Sequence, residues 1–179
     1  MAHDAQRVFI EGVRDRFPDF FEGKKVLDIG SLNINGSMRY AFKNCDYTGI
    51  DVGEGRGVDV VAGGHEFDAP DATYDVCLSA ECFEHNPHWK ETFINMYRMC
   101  KPGGLILMTC ATTGRKEHGT SRSKPGNSPL TQDLWDYYKN LTEEDFTSDE
   151  GLTPFINSST EYEFSTNMEC NDLYFWAIR

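Results

Sequence analysis

No stretch of this chain is apolar for long enough to cross a bilayer as a helix, which takes about 20 consecutive hydrophobic residues. The opening segment, MAHDAQRVFIEGVRDRF, mixes charge into its apolar residues and lacks the uninterrupted core of a secretory signal, so a cytoplasmic protein is expected. Basic charge is scarce. Against 29 acidic residues stand 17 lysines and arginines, a formal net charge of −12. Nucleic-acid binding needs a concentrated basic surface to displace counterions from phosphates, so a nucleic-acid partner is disfavoured. Cysteine pairing is lacking too: Cys45, Cys77, Cys82, Cys100, Cys110 and Cys170 include no CxxC. Several lie inside apolar runs, so reduced, buried thiols are expected, not a disulfide framework or a zinc site, and no metal ligands are expected.

What is present suits an ordinary globular domain. Of the 179 residues, 39% are hydrophobic and 26% charged, enough to bury a core without staples. We expect one domain over residues 1–179. Short apolar runs recur with helical stretches between them: VLDIG from 26, YTGIDV from 47, VDVV from 58, YDVCLS from 74 and LILMTC from 105. That alternation predicts a parallel sheet with helices on both faces, which is doubly wound α/β. EYEFSTN and DLYFWAIR then predict an antiparallel hairpin with its turn near Met168 to Asp172, giving seven strands.

Trp89, Phe93, Met96, Tyr97 and Cys100 fall on one helical stripe, starting near Asn86-Pro87 and stopped by Lys101 to Gly104. Val8, Phe9, Val13 and Phe17 predict a lead-in helix ending near Pro18. A polar insert at about 111–159 interrupts the pattern, with one helix expected from Leu130 to Leu141. Thr142, followed by Glu143, Glu144 and Asp145, reads as the N-cap of another.

The chemistry is expected at the ends of the first strands. One ends in Asp28 and Gly30 and the next in Asp51, an arrangement that places a carboxylate in the crevice beyond the strands to accept ribose hydroxyls. The intervening loop, Gly30-Ser31-Leu32-Asn33-Ile34-Asn35-Gly36, lacks the glycines that let a helix N-terminus approach a pyrophosphate. A nicotinamide-dependent oxidoreductase is therefore a weaker alternative.

Asp28 and Gly30, Asp51, Glu84-His85 and Lys101 to Gly104 stand in the order and approximate spacing of the class I S-adenosylmethionine-dependent methyltransferases, and the chain resembles that family from roughly Gly23 to Ala111. The resemblance implies a Rossmann-like methyltransferase fold and S-adenosylmethionine as cofactor, leaving as S-adenosylhomocysteine. It places the methionine part on Asp28, Gly30, Ser31 and Leu32, and the ribose on Asp51 beside Val52. The adenine falls on the segment from Gly63 to Phe67, including Gly64, His65 and Glu66, and the amino group and sulfonium beside Ser79, Ala80 and Glu81.

The expected activity is methyl transfer to oxygen or nitrogen of a small molecule or saccharide; the alternative is a catalytically weak subunit acting through a protein partner. His85 is the candidate base, with a loop-capping role as the competing reading. The basic insert is read as a substrate lid or as a solvated loop. Arg115, His118, Arg122, Tyr137, Tyr138 and Asn140 are its candidate acceptor contacts.

Overall fold

Val26, Leu27 and Ile29 are almost wholly removed from solvent in strand β1 (Lys25–Ile29), and their side chains alternate between two separate cores. That double burial makes β1 a central strand. The computed structural model describes residues 4–179. Parallel to β1 run β2 (Asp46–Asp51), the two-residue edge strand β3 (Val60–Val61), β4 (Tyr74–Ala80) and β5 (Cys100–Ala111). The last two strands, β6 (Glu161–Asn167) and β7 (Asp172–Ile178), are antiparallel to each other, and β7 pairs antiparallel with β5. The seven-stranded order is β3-β2-β1-β4-β5-β7-β6.

This order reverses direction between β1 and β4. Successive connections leave toward opposite sides there, opening a crevice beyond the carboxyl ends of the two strands.

Helix α1 (Asp4–Arg16) covers one face, where Ile10 and Val13 meet Val26, Val76, Leu105 and Trp176. Here the structure corrects the sequence reading, because Val8 is 68% exposed and Ile10 takes the inward position. Helix α2 (Trp89–Met99) covers the other face. Phe93 lies at its centre, within 5.1–5.6 Å (ring centroids) of Tyr97, Phe146 and Phe175. The Lys101 to Gly104 turn ends α2 as expected but is itself the start of β5, with the Gly103 amide donating to the Arg179 carbonyl.

No helix spans Leu130 to Leu141. Instead the amides of Trp135 and Asp136 both donate to the Thr131 carbonyl at 3.0 Å, and Asp136 turns to φ +41°, ending the single turn. Tertiary contacts override the helical spacing: the Asp136 carboxylate accepts from the amide and hydroxyl of Ser121 and from Arg122, all within 2.8 Å. Thr142 does cap the short helix α3 (Glu143–Thr147), exchanging bonds with Asp145 in a capping box. Helix α4 (Thr153–Asn157) leads into the hairpin. Among the described residues no helix is long and apolar enough to cross a membrane.

Phe93→Ala should lower unfolding free energy by about 3–5 kcal/mol, the usual cost of emptying a buried aromatic site. Val8→Ala should stay within about 0.5 kcal/mol. Urea denaturation monitored by circular dichroism measures both, and comparable losses would contradict this assignment of the core.

Candidate functional site

Beyond the ends of β1, β2 and β4 lies a cavity enclosing about 880 Å³ of empty space, mouth included. Asp28, Gly30, Ser31 and Leu32 form its floor, Asp51 and Val52 one wall, Gly64 and His65 another, and Ala80, Glu81 and His85 the side toward β4.

The floor is shaped by close packing. Gly30 sits at φ +80°, and a Cβ there would come within 2.5 Å of the Cys82 Cβ, so only glycine lets the loop pass under the β4 end. The Gly30 and Ser31 amides both donate to the Ile50 carbonyl, Leu32 donates to the Asp51 carboxylate, Asn33 to the Arg56 carbonyl, and Gly36 to the Asn33 side chain. A loop whose amides are committed inside the protein offers no cradle for a pyrophosphate.

Asp51 is held by two amides, its Oδ2 accepting from Leu32 at 3.0 Å and its Oδ1 from Val52 at 2.8 Å. Each oxygen keeps a further lone pair, so the fixed carboxylate can accept two hydroxyls at once. Burial raises its pKa above the ordinary carboxylate value. Deeper, Asp28 accepts from the Tyr47 hydroxyl at 2.8 Å, and burial pushes its carboxyl to about 7.

The third wall is pinned by α2. The Asn95 side-chain amide donates to the carbonyls of Gly64 and Phe67, and a Cβ on Gly64 would strike Thr92 and Ile29 at 2.6–2.7 Å. The His65 ring lines the cavity and stacks on His88, centroids 4.1 Å apart. Two expected contacts lie elsewhere: Glu66 points outward with its side chain 73% exposed, and Ser79 is buried, its hydroxyl donating to the Ile29 carbonyl to tie β4 to β1.

On the β4 side, Glu81 adopts φ +55°, a strained conformation for a residue with a side chain. Its carboxyl is enclosed beside Thr109 and Arg115, and burial with the neighbouring Glu84 pushes it to about 8. His85 and His118 are both buried and held neutral by it, at about 3 and about 4.

The acceptor contacts expected from the insert are redistributed. None of Arg115, His118, Arg122, Tyr137, Tyr138 and Asn140 lines the cavity. Arg115 is drawn into an ion pair with Asp172 at 2.7 Å, Arg122 pairs with Glu117 and Asp136, and Tyr138 donates to Asn140. The insert reaches the cavity instead through Asn127 to Thr131 and Trp135. Trp135 donates from its indole to the His85 carbonyl at 2.7 Å, and Leu130 rests on Gly53. Sequence reasoning missed these residues because it sought charge. The signal available was the apolar pair Leu130 and Trp135 within an otherwise polar segment.

Comparison with known proteins agrees with this architecture. Residues 1–125 match the model of the methyltransferase domain family. The chain belongs to that family, and its sheet is that of the class I, S-adenosylmethionine-dependent members. It is 27% identical over 163 residues to phosphoethanolamine N-methyltransferase 2 of Caenorhabditis elegans, covering 82% of this chain but 36% of that protein. The chain thus spans little more than a third of that relative's length. Among solved structures, phosphoethanolamine N-methyltransferase 2 of Haemonchus contortus in complex with S-adenosyl-L-methionine aligns over 94% of this chain and 51% of its own, at 17% identity and a TM-score of 0.65. The 1,6-didemethyltoxoflavin-N1-methyltransferase of Burkholderia thailandensis aligns over the whole chain and 91% of its own, at 14% identity and a TM-score of 0.60.

Asp28 yields a pH prediction. Tyr47, Asp51, Arg39 and Asp59 are the charged or titratable groups acting on it, and burial outweighs them. The folded state holds the Asp28 proton up to about pH 7, whereas an ordinary aspartate releases it near 3.8, so stability present at low pH is lost as pH rises through that window. Asp28→Asn should therefore gain melting temperature relative to the parent between pH 5 and pH 8, as read by differential scanning fluorimetry. A difference that stays constant with pH would show that Asp28 is ionised throughout.

Proposed function

We propose that the cavity binds S-adenosylmethionine and that the chain transfers its methyl group to nitrogen or oxygen of a small polar molecule, releasing S-adenosylhomocysteine. The observation that carries this reading is the Asp51 carboxylate, fixed by two amides at the cavity wall, above a β1 loop whose amides are already spent. A ribose needs the first feature, and a dinucleotide pyrophosphate would need the amides that the second withholds.

The residues fit the cofactor part by part. Asp51 accepts the ribose hydroxyls, while the glycine wall at Gly63 and Gly64, with the flat His65 ring, suits a planar base. Asp28 and the Gly30 turn receive the amino acid end, and a cationic amino group there would draw Asp28 toward its ionised form. Bound in this cavity, the cofactor supplies an electrophilic methyl on a sulfonium.

The protein's task in such a displacement is alignment and exclusion of water. Leu130 and Trp135, which line the cavity from the insert, would serve the second need as an apolar cover, the insert acting as a lid. His85 lines the cavity, but its neutral ring, buried against Gly119, suits holding the acceptor side of the wall better than taking a proton. The named relative acts on phosphoethanolamine, which makes small phosphorylated amines the first acceptors to assay.

Calorimetric titration should show one site for S-adenosylmethionine and S-adenosylhomocysteine and none for NAD. Asp51→Ala should weaken both by about 10- to 100-fold through loss of charge-assisted bonds. NAD binding, or unchanged affinity in folded Asp51→Ala, would overturn the reading.

A further inference from the structure

Six buried side-chain polar atoms among the described residues make no hydrogen bond, and four of them belong to the short segment after β4: Oε2 of Glu81, both carboxylate oxygens of Glu84, and Nδ1 of His85. Buried polar atoms are nearly always satisfied, so a concentration of unsatisfied ones points to a missing partner. Glu84 is completely enclosed, and His85 and His118 are 4% and 6% exposed.

The donor atoms converge. One ligand atom each from Glu84, His85 and His118 lies within 4.8 Å of the others. A tetrahedral ion with bonds of roughly 2.0–2.2 Å spaces its ligand atoms roughly 3.3–3.6 Å apart, so side-chain rotations of about an ångström complete the set. Two features prepare it. The Lys116 carbonyl accepts from His118 Nδ1 at 3.1 Å, which fixes the tautomer and leaves Nε2 as the lone-pair donor, the usual orienting contact of a metal-bound histidine. Gly119, at φ +69°, lets the loop approach until a Cβ would lie 2.5 Å from His85 Cε1, so the two rings meet edge to face, centroids 5.0 Å apart. The Arg115 guanidinium spends Nη1 on Asp172 and the Cys170 carbonyl and holds Nη2 3.9 Å from Glu81 Oε2, so it faces Glu81 without a hydrogen bond and leaves Glu84 unpaired.

We propose that Glu84, His85 and His118 form a three-ligand site for a divalent transition-metal ion of the zinc class, set in the wall between the cavity and the insert. Two imidazoles and one carboxylate suit zinc or ferrous iron, whereas magnesium and calcium favour all-oxygen shells. The ion would bind the insert, through His118, to the turn after β4, through Glu84 and His85. This departs from the expectation of no metal, which rested on cysteine spacing alone. The three ligands are brought together by the fold, not by a motif.

The test is a zinc titration of the full chain, stripped with EDTA and desalted, against a chromophoric chelator and without any methyl donor, so it stands apart from the cofactor reading. One equivalent should bind, and the melting temperature should rise on saturation. His118→Ala and Glu84→Gln should each weaken binding by about 100-fold or more while melting like the parent in EDTA. Cobalt should give the visible bands of a low-symmetry site in the parent only. His65→Ala, which removes the other histidine pair, should bind as the parent does. No saturable zinc binding, or unchanged affinity in His118→Ala, would overturn the proposal; the latter would place the ion on thiols or on His65 and His88.

Discussion

The site depends on one clasp: the Asp51 carboxylate accepting the amides of Leu32 and Val52. It joins the loop after β1 to the end of β2 at the point where strand order reverses, where the fold opens a crevice whatever its sequence. The clasp fixes the carboxylate and consumes a loop amide, so it decides both what the crevice attracts and what it turns away. Close glycine contacts support the arrangement, Gly30 against Cys82 and Gly64 against Thr92 and Ile29, and neither position has room for a side chain.

Much of the frame was legible because it is written locally. Continuous apolar runs predicted the buried central strands, the aromatic stripe of α2 predicted its buried face, and Thr142 predicted the cap of α3. The insert was not legible, because its conformation is set from outside. Asp136 is recruited by Ser121 and Arg122, Arg115 by Asp172, and Trp135 by the His85 carbonyl, partners 14 to 57 positions away. A helical spacing from Leu130 to Leu141 could not compete with those contacts. Val8 and Ile10 show the same limit on a smaller scale: Val8 is exposed and Ile10 buried on a helix whose Phe9 ring stacks on the distant Tyr174.

The site divides similarly. Residues on the strand ends, Asp28, Gly30, Asp51 and Glu81, line the cavity, and their positions follow from the fold itself. Glu66 and Ser79 do not line the cavity, one turning to solvent and the other tying two strands together. The basic residues of the insert suggested an anion-attracting lid, yet Arg115 and Arg122 are neutralised by acids of this chain. What reaches the cavity from the insert is Asn127 to Thr131 and Trp135, among which Leu130 and Trp135 give that side an apolar lining.

The central claim, that the clasped Asp51 is a ribose acceptor, is tested most directly by a crystal structure of the chain grown with S-adenosylhomocysteine. The account predicts ligand density in the cavity with both ribose hydroxyls within hydrogen-bond distance of the Asp51 carboxylate, and with the Leu32 and Val52 amides still bonded to it. A ligand bound with its ribose away from Asp51, or a cavity left empty at saturating ligand, would contradict it.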